Sequence, residues 1–171
     1  MKKKIFLVSI FLLITITVVV GILLSNKVRV VEYKNKDYSF SYDTTWELKE
    51  DNGEPVLSHK KSKALIKFKV KELTNNFIDM DLSDIVVDLT SLIEKQNPDY
   101  KMISSQEDPS DKYDSFEFLY EYDNEQALVY IYKKDTKLVT VYYTADSKYY
   151  DIVLDSVDSI LGTLLINNNE E

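Results

Sequence analysis

Cysteine is absent from this 171-residue chain, and histidine and tryptophan occur once each. Without thiols there are no disulfides, no cysteine metal sites, no thiol nucleophile and no lipid attachment through an N-terminal cysteine. The lone histidine, His59, leaves little for zinc, which needs three or more His, Cys or carboxylate ligands in register. General-base catalysis near neutral pH is equally poorly supplied. Three glycines and three prolines exclude collagen-like and low-complexity chains, while 44% apolar residues are enough for a packed core. Acidic residues are missing from the beginning of the chain, where Glu32 is the first. Five of the 21 basic residues (Lys2, Lys3, Lys4, Lys27, Arg29) precede it, and the remainder carries the other 16 against all 29 acids, a formal charge of −13. Such a body repels nucleic-acid phosphates, so no nucleic-acid partner is expected.

What is present begins with three lysines and an uncharged run over residues 5–24. Twenty residues rising ~1.5 Å each make about 30 Å, the hydrocarbon thickness of a bilayer. A cleaved signal peptide is the alternative. Its apolar region usually runs ~7–15 residues and ends in an A-x-A-like pattern, which residues 21–26 do not offer cleanly. The reading favoured is an uncleaved signal-anchor: residues 1–29 form a single membrane-spanning helix and its flank. The lysines then hold the amino terminus in the cytoplasm and leave residues 30–166 as an extracytoplasmic domain of a cell-membrane protein. Residues 167–171, NNNEE, read as a disordered tail.

Within the domain, residues 28–36 are a tether that becomes a first strand. Tyr38, Phe40 and Tyr42 alternate with serines as a half-buried strand does, and Trp46 and Leu48 begin another. DNGEP (51–55) is a hairpin turn, because Asn-Gly supplies positive φ. Residues 64–73 put Leu65, Phe68 and Val70 against Lys67, Lys69 and Lys71, an amphipathic strand with a basic solvent edge. Apolar positions 82, 85, 86, 89, 92 and 93 predict a helix over 82–96, capped by Asp81, with Asp84 in its first turn and Pro98 beyond its end. A strand over 100–105 and a loop, QEDPSDK, lead to three strands at 116–122, 127–134 and 137–144. The short links DNEQ and DT make these an antiparallel meander. The last segment predicts a helix with Tyr150, Val153, Val157, Ile160 and Leu161 on one face, Asp146 at its start and Gly162 at its end. Both faces of the meander are largely apolar. The expected class is therefore α+β: a central antiparallel sheet with helices on both sides, an α/β/α sandwich.

The stretch YSFSYDTTW, residues 38–46, joins an aromatic strand to a tryptophan across a short break. With the 82–96 helix, the meander and the final helix, it resembles the PsbP-like families over roughly residues 30–166. Those families usually have Tyr-Pro-x-x-Trp at the break. Here Asp43 stands in place of the proline, so Asp and Thr hydroxyl bonds must build the turn. The resemblance implies an accessory or binding role, as in bacterial membrane-anchored members, and brings no catalytic or cofactor residues with it.

Several residues invite chemistry. His59 lies in VLSHKKSK without a nucleophile-turn motif and reads as a strand-end or turn histidine. Asp79, Asp81 and Asp84, and likewise Asp108, Asp111 and Asp114, suggest calcium but lack the glycine and distant glutamate of a Ca²⁺ loop. No pair of carboxylates is singled out as a hydrolase pair would be. No cofactor is expected, and the protein reads as non-enzymatic. Trp46 reads as a structural anchor; a ligand platform of Trp46 with Tyr38 and Tyr42 is the lesser alternative. The thirteen tyrosines suit sheet packing. Their functional reading is an exposed strip of Tyr120, Tyr122, Tyr130, Tyr132 and Tyr142 that receives a partner. The function expected is that of a membrane-anchored extracytoplasmic binding or accessory protein, attached through residues 5–24 and serving an envelope complex. A secreted ligand-binding form and a calcium-dependent adhesion module are the alternatives.

Deleting residues 1–29 should leave a soluble, folded domain, checked by size-exclusion chromatography and circular dichroism. Aggregation of the truncated chain would mean that the apolar segment belongs to the fold.

Overall fold

The computed structural model describes residues 28–97, 99–107 and 112–167. Two compact units divide the chain, Met1–Val30 and Val31–Glu171. Of the first, residues 28–30 are described, and the expected anchor at 5–24 lies outside the described residues. Among those described, no helix is long and apolar enough to cross a membrane. Pro98, Asp108, Asp111 and residues 168–171 also lie outside them.

The described elements run β1 (Val30–Lys34), β2 (Tyr38–Asp43), β3 (Trp46–Asp51), β4 (Glu54–His59), β5 (Leu65–Glu72), α1 (Asn75–Ile78), α2 (Leu82–Gln96), β6 (Lys101–Glu107), β7 (Asp114–Tyr122), β8 (Glu125–Lys134), β9 (Lys137–Asp146), α3 (Ser147–Leu161) and β10 (Leu165–Ile166). Seven strands form one sheet in the order β3-β4-β5-β9-β8-β7-β6, antiparallel throughout, and β1-β2-β10 form a second, smaller sheet. The hairpins are made where the sequence can enter left-handed backbone. Asn52 (φ 54°) and Gly53 (φ 83°) turn β3 into β4, and Asp123 (φ 50°) and Asp135 (φ 52°) turn the meander.

Register sorts side chains between two faces. On the first face, Ile66 and Phe68 of β5 lie with Val139, Val141 and Tyr143 of β9 and Tyr130 of β8. Here α3 packs through Tyr150, Val153, Val157 and Ile160, and the small sheet packs beside it through Tyr38, Phe40 and Ile166. Phe40 stacks on Phe68 at 4.2 Å with the rings 5° from parallel. On the second face, Phe118, Tyr120, Val129 and Ile131 meet Val86 and Ile93 of α2.

The aromatic break is built as its residues require. Asp43 Oδ1 accepts from the Thr45 backbone N–H at 2.7 Å and from the Thr45 hydroxyl, which does the work of the missing proline. Trp46 follows, 2% exposed, and its Nε1 donates to Ser156 Oγ of α3 at 2.9 Å. The tryptophan thus fastens the edge strand β3 to the helix over the first face.

Several expectations need correction. Strands β1 and β2 do not join the central sheet; the turn at 43–45 sends them into the small sheet, so α3 shares the first face with it. The final helix ends at Gly162 as expected, but residues 165–166 beyond it form a further strand, β10, against β2 (Leu165 beside Ser39, Ile166 beside Tyr38). Gly162 ends α3 in a right-handed conformation (φ −60°), with its N–H bonded to Asp158 O. Asn167 is no part of a frayed tail. Its N–H donates to Asp37 O at 2.8 Å and its Nδ2 to Asn35 O at 3.1 Å. Lys134 Nζ reaches Ile166 O at 2.8 Å, and the buried Lys137 pairs with Asp37 at 3.3 Å. Helix α2 spans the residues expected of it, yet the Asp81 side chain makes no capping bond and Leu92 faces outward. Strand β5 is interior, and within it Leu65 falls on the lysine side while Ile66 joins Phe68.

Trp46→Ala should lower stability by ~3–5 kcal/mol in urea unfolding, because it empties a core site and strands the Ser156 hydroxyl. An unchanged midpoint would refute the anchoring role.

Candidate functional site

Cover is uneven on the second face. A single cross-strand line shows it: Lys49, Val56, Lys67, Tyr142, Val129, Phe118 and Ser105 are successive neighbours from β3 to β6. From Tyr142 through Phe118 the line is apolar and lies with the residues packed beneath α2. From Lys67 to Lys49 it carries no helix among the described residues, and the side chains are exposed or half-buried. Lys67, Lys69 and Lys71 stand in a row along β5, all exposed. Lys69 Nζ lies 5.6 Å from the Tyr142 ring centre and Lys71 Nζ lies 5.7 Å from that of Phe77. None of the three makes an ion pair among the described residues. Half-buried Val56 and Leu65 sit beside them as apolar floor.

At one end this surface runs into a cleft of about 520 Å³, a size typical of small-ligand sites. The 60–63 turn forms one wall with Lys61, Ser62 and Lys63, and the start of α3 forms the other with Asp146, Lys148 and Tyr149; Leu65, Thr144 and Glu125 complete it. Lys148 pairs with Asp146 at 3.2 Å and lies 4.8 Å over the Tyr149 ring centre. The bond from the Lys148 backbone N–H holds the Asp146 carboxyl below its usual pKa. Lys61 and Lys63 make no ion pair among the described residues, and Lys63 adopts positive φ (57°). On a body of strong net negative charge, the cleft and the lysine row gather Lys61, Lys63, Lys67, Lys69, Lys71 and Lys148, with Glu125 and Asp146 in the cleft wall and Glu47, Asp51 and Glu54 on the same sheet face.

The residues singled out by sequence are distributed otherwise. Tyr120, Tyr122 and Tyr142 belong to the second face, but Tyr130 and Tyr132 belong to the first. The five therefore form no single strip: residues on β7, β8 and β9 obey the register of the sheet. Tyr120, Tyr130 and Tyr132 are buried, and only Tyr122 and Tyr142 keep part of their rings at the surface. Burial raises the phenol of Tyr120 to about 12 and pushes Tyr122 and Tyr130 higher. The Tyr122 hydroxyl donates to Glu125 Oε2 at 2.7 Å. The platform of Trp46 with Tyr38 and Tyr42 does not form, since the Trp46 and Tyr38 rings are buried and only Tyr42 stays half-buried, beside Phe40.

His59 ends β4 against Trp46, with ring centres 5.1 Å apart, and its Nδ1 lies 2.7 Å from Ser62 Oγ. Ser62 is buried, and its Oγ also accepts from the Ala64 N–H, so the pair braces the 60–63 turn. Asp79, Asp81 and Asp84 do not converge; among the described residues no group of three metal-ligating side chains does.

Sequence reasoning saw the β5 lysines as a solvent edge and missed Lys61, Lys63 and Lys148. The usable signal was the row itself. Next to β8 and β9, which are largely apolar on both sides, a strand alternating apolar with lysine marks where the cover stops.

No protein-family model matches the chain, and no curated protein matches it in sequence. Solved structures do match its fold. Cyanobacterial PsbP (CyanoP) from Synechocystis sp. PCC 6803 superposes with a TM-score of 0.66 at 13% identity, over 81% of this chain and 92% of that one. LpqN of Mycobacterium tuberculosis, described as involved in cell envelope biogenesis, gives 0.61 at 9% identity, over 84% and 94%. The Ran-binding protein Mog1p of Saccharomyces cerevisiae gives 0.57 at 10%, over 82% and 95%. The chain thus has the PsbP-like fold its sequence resembles.

Desolvation lowers the pKa of His59 from its usual 6.5, and Lys61 adds to the effect against an opposing pull from Asp43. The unfolded chain therefore takes up the proton first as pH falls. The neutral ring's contribution is complete above pH 6.5 and is lost as pH drops through the folded value. The stability gap between the wild type and His59→Gln should shrink on that descent, measured by urea unfolding on either side of pH 6.5. A gap independent of pH would contradict the burial argument.

Proposed function

We propose that the protein is a single-pass, N-terminally anchored membrane protein whose PsbP-like domain lies outside the cytoplasm and serves an envelope complex by binding. The uncovered half of the second face carries this reading. Among the described residues no helix covers strands β3–β5 on this face, and Lys67, Lys69 and Lys71 stand there without an ion pair beside half-buried Val56 and Leu65. Exposed lysines beside half-buried Val56 and Leu65 give a partner charge to pair with and apolar area to cover. The anchor rests on the lysine cluster and the uncharged run at 5–24. The envelope setting is supported by fold neighbours described as PsbP and as a cell-envelope biogenesis protein. No residue is assigned a catalytic role.

Fractionation of intact cells tests the placement. The full-length chain should stay with membranes through high-salt and alkaline washes, and external protease should digest the domain without cell lysis. A protected domain would reverse the orientation. A released chain whose mass shows loss of the first 20–30 residues, about the length of a signal peptide, would replace the anchor with a cleaved leader.

A further inference from the structure

We infer that the bare half of the second face is the seat of one acidic α-helix from a partner protein, which completes the layer that α2 begins. The inference rests on the accessory reading above and names the kind of partner that reading requires.

Three observations lead to a helix. The first is width. Strands β3, β4 and β5 at ~4.8 Å spacing span about 10 Å between outer axes, and a helix with its side chains is about 10–12 Å across. The space beside α2 is therefore one helix wide. The second is charge. Lys67, Lys69 and Lys71 stand ~6.7 Å apart along the strand, and acids four residues apart on a helix rise ~6 Å. A helix lying along β5 with Asp or Glu at such positions meets all three lysines, none of which has an ion-pair partner among the described residues. The third is floor. Val56 and Leu65 are half-buried on this side and would receive the apolar residues of the same helix. A polyanionic polymer fits less well. Glu47, Asp51 and Glu54 share the face with the lysines and would repel a uniform line of phosphates, whereas a helix can place its own lysines against them.

The test uses the full-length chain in intact cells, with Val56 replaced by the photo-cross-linker p-benzoylphenylalanine. A second version carries it at Ile152, which is 74% exposed on α3. Cross-linked peptides are identified by mass spectrometry. The expected result is recurrent cross-linking at position 56 to a helical segment rich in Asp and Glu, lost in Lys67→Glu/Lys69→Glu/Lys71→Glu. Lysines placed at the acids of the captured segment should restore it. All three β5 lysines are exposed, and circular dichroism on the triple variant checks that it folds. Cross-links at position 56 to lipid, wall polymer or a non-helical segment would overturn the helix. Cross-links at position 152 alone would overturn the docking surface and leave the accessory role standing. Cross-links at neither position would overturn both.

Discussion

Cover is the constraint on which the molecule depends. Seven strands at ~4.8 Å spacing make a sheet about 29 Å wide between its outer axes, and one helix covers about 10–12 Å of it. Each face therefore needs more than a single helix. The first face receives α3 together with the small sheet β1-β2-β10, which bury its side chains from β3 to β8, while β6 at the far edge stays exposed. The second receives α2 and the short α1, and among the described residues nothing covers its β3–β5 part. The sequence agrees with that division strand by strand: β8 and β9 are apolar on both sides, whereas β5 is apolar on one side and lysine on the other.

Closing the first face requires bringing the two ends of the domain together. Asn35 Oδ1 accepts from the Asp37 and Tyr38 N–H groups and shapes the β1–β2 turn. Asn167 then bonds back to Asp37, Asn35 and Lys36, and Lys137 holds the Asp37 carboxylate from below. The buried ammonium is tolerated because it also reaches the Asn167 carbonyl at 3.3 Å. Residues from opposite ends of the domain thus form one polar clasp beside the Phe40–Phe68 stack. Trp46 completes the closure from the other side through Ser156.

Much of this was legible in the sequence where a period or a turn residue spoke directly. The meander, the span of α2, the Asn52-Gly53 hairpin and the Asp43-Thr45 turn follow from local chemistry, and the structure has them. What was not legible depends on pairing between distant segments. Two residues, Leu165 and Ile166, make a strand only because β2 lies beside them, and nothing in so short a segment beyond Gly162 reads as a strand. The separation of β1 and β2 from the main sheet is of the same kind. The tyrosines misled because counting them along the chain hides the alternation that sends Tyr130 and Tyr132 to one face and Tyr120, Tyr122 and Tyr142 to the other. Lys61, Lys63 and Lys148 become neighbours only when the 60–63 turn meets the start of α3.

The central claim is that the open half of the second face is occupied in the cell. Acetylation by a membrane-impermeant reagent, quantified lysine by lysine, tests it directly on intact cells and on the detergent-purified full-length chain. Lys67, Lys69 and Lys71 should be protected in cells and reactive once purified, while the exposed Lys95 on α2 reacts alike in both. Equal reactivity of the three β5 lysines in both preparations would contradict the account.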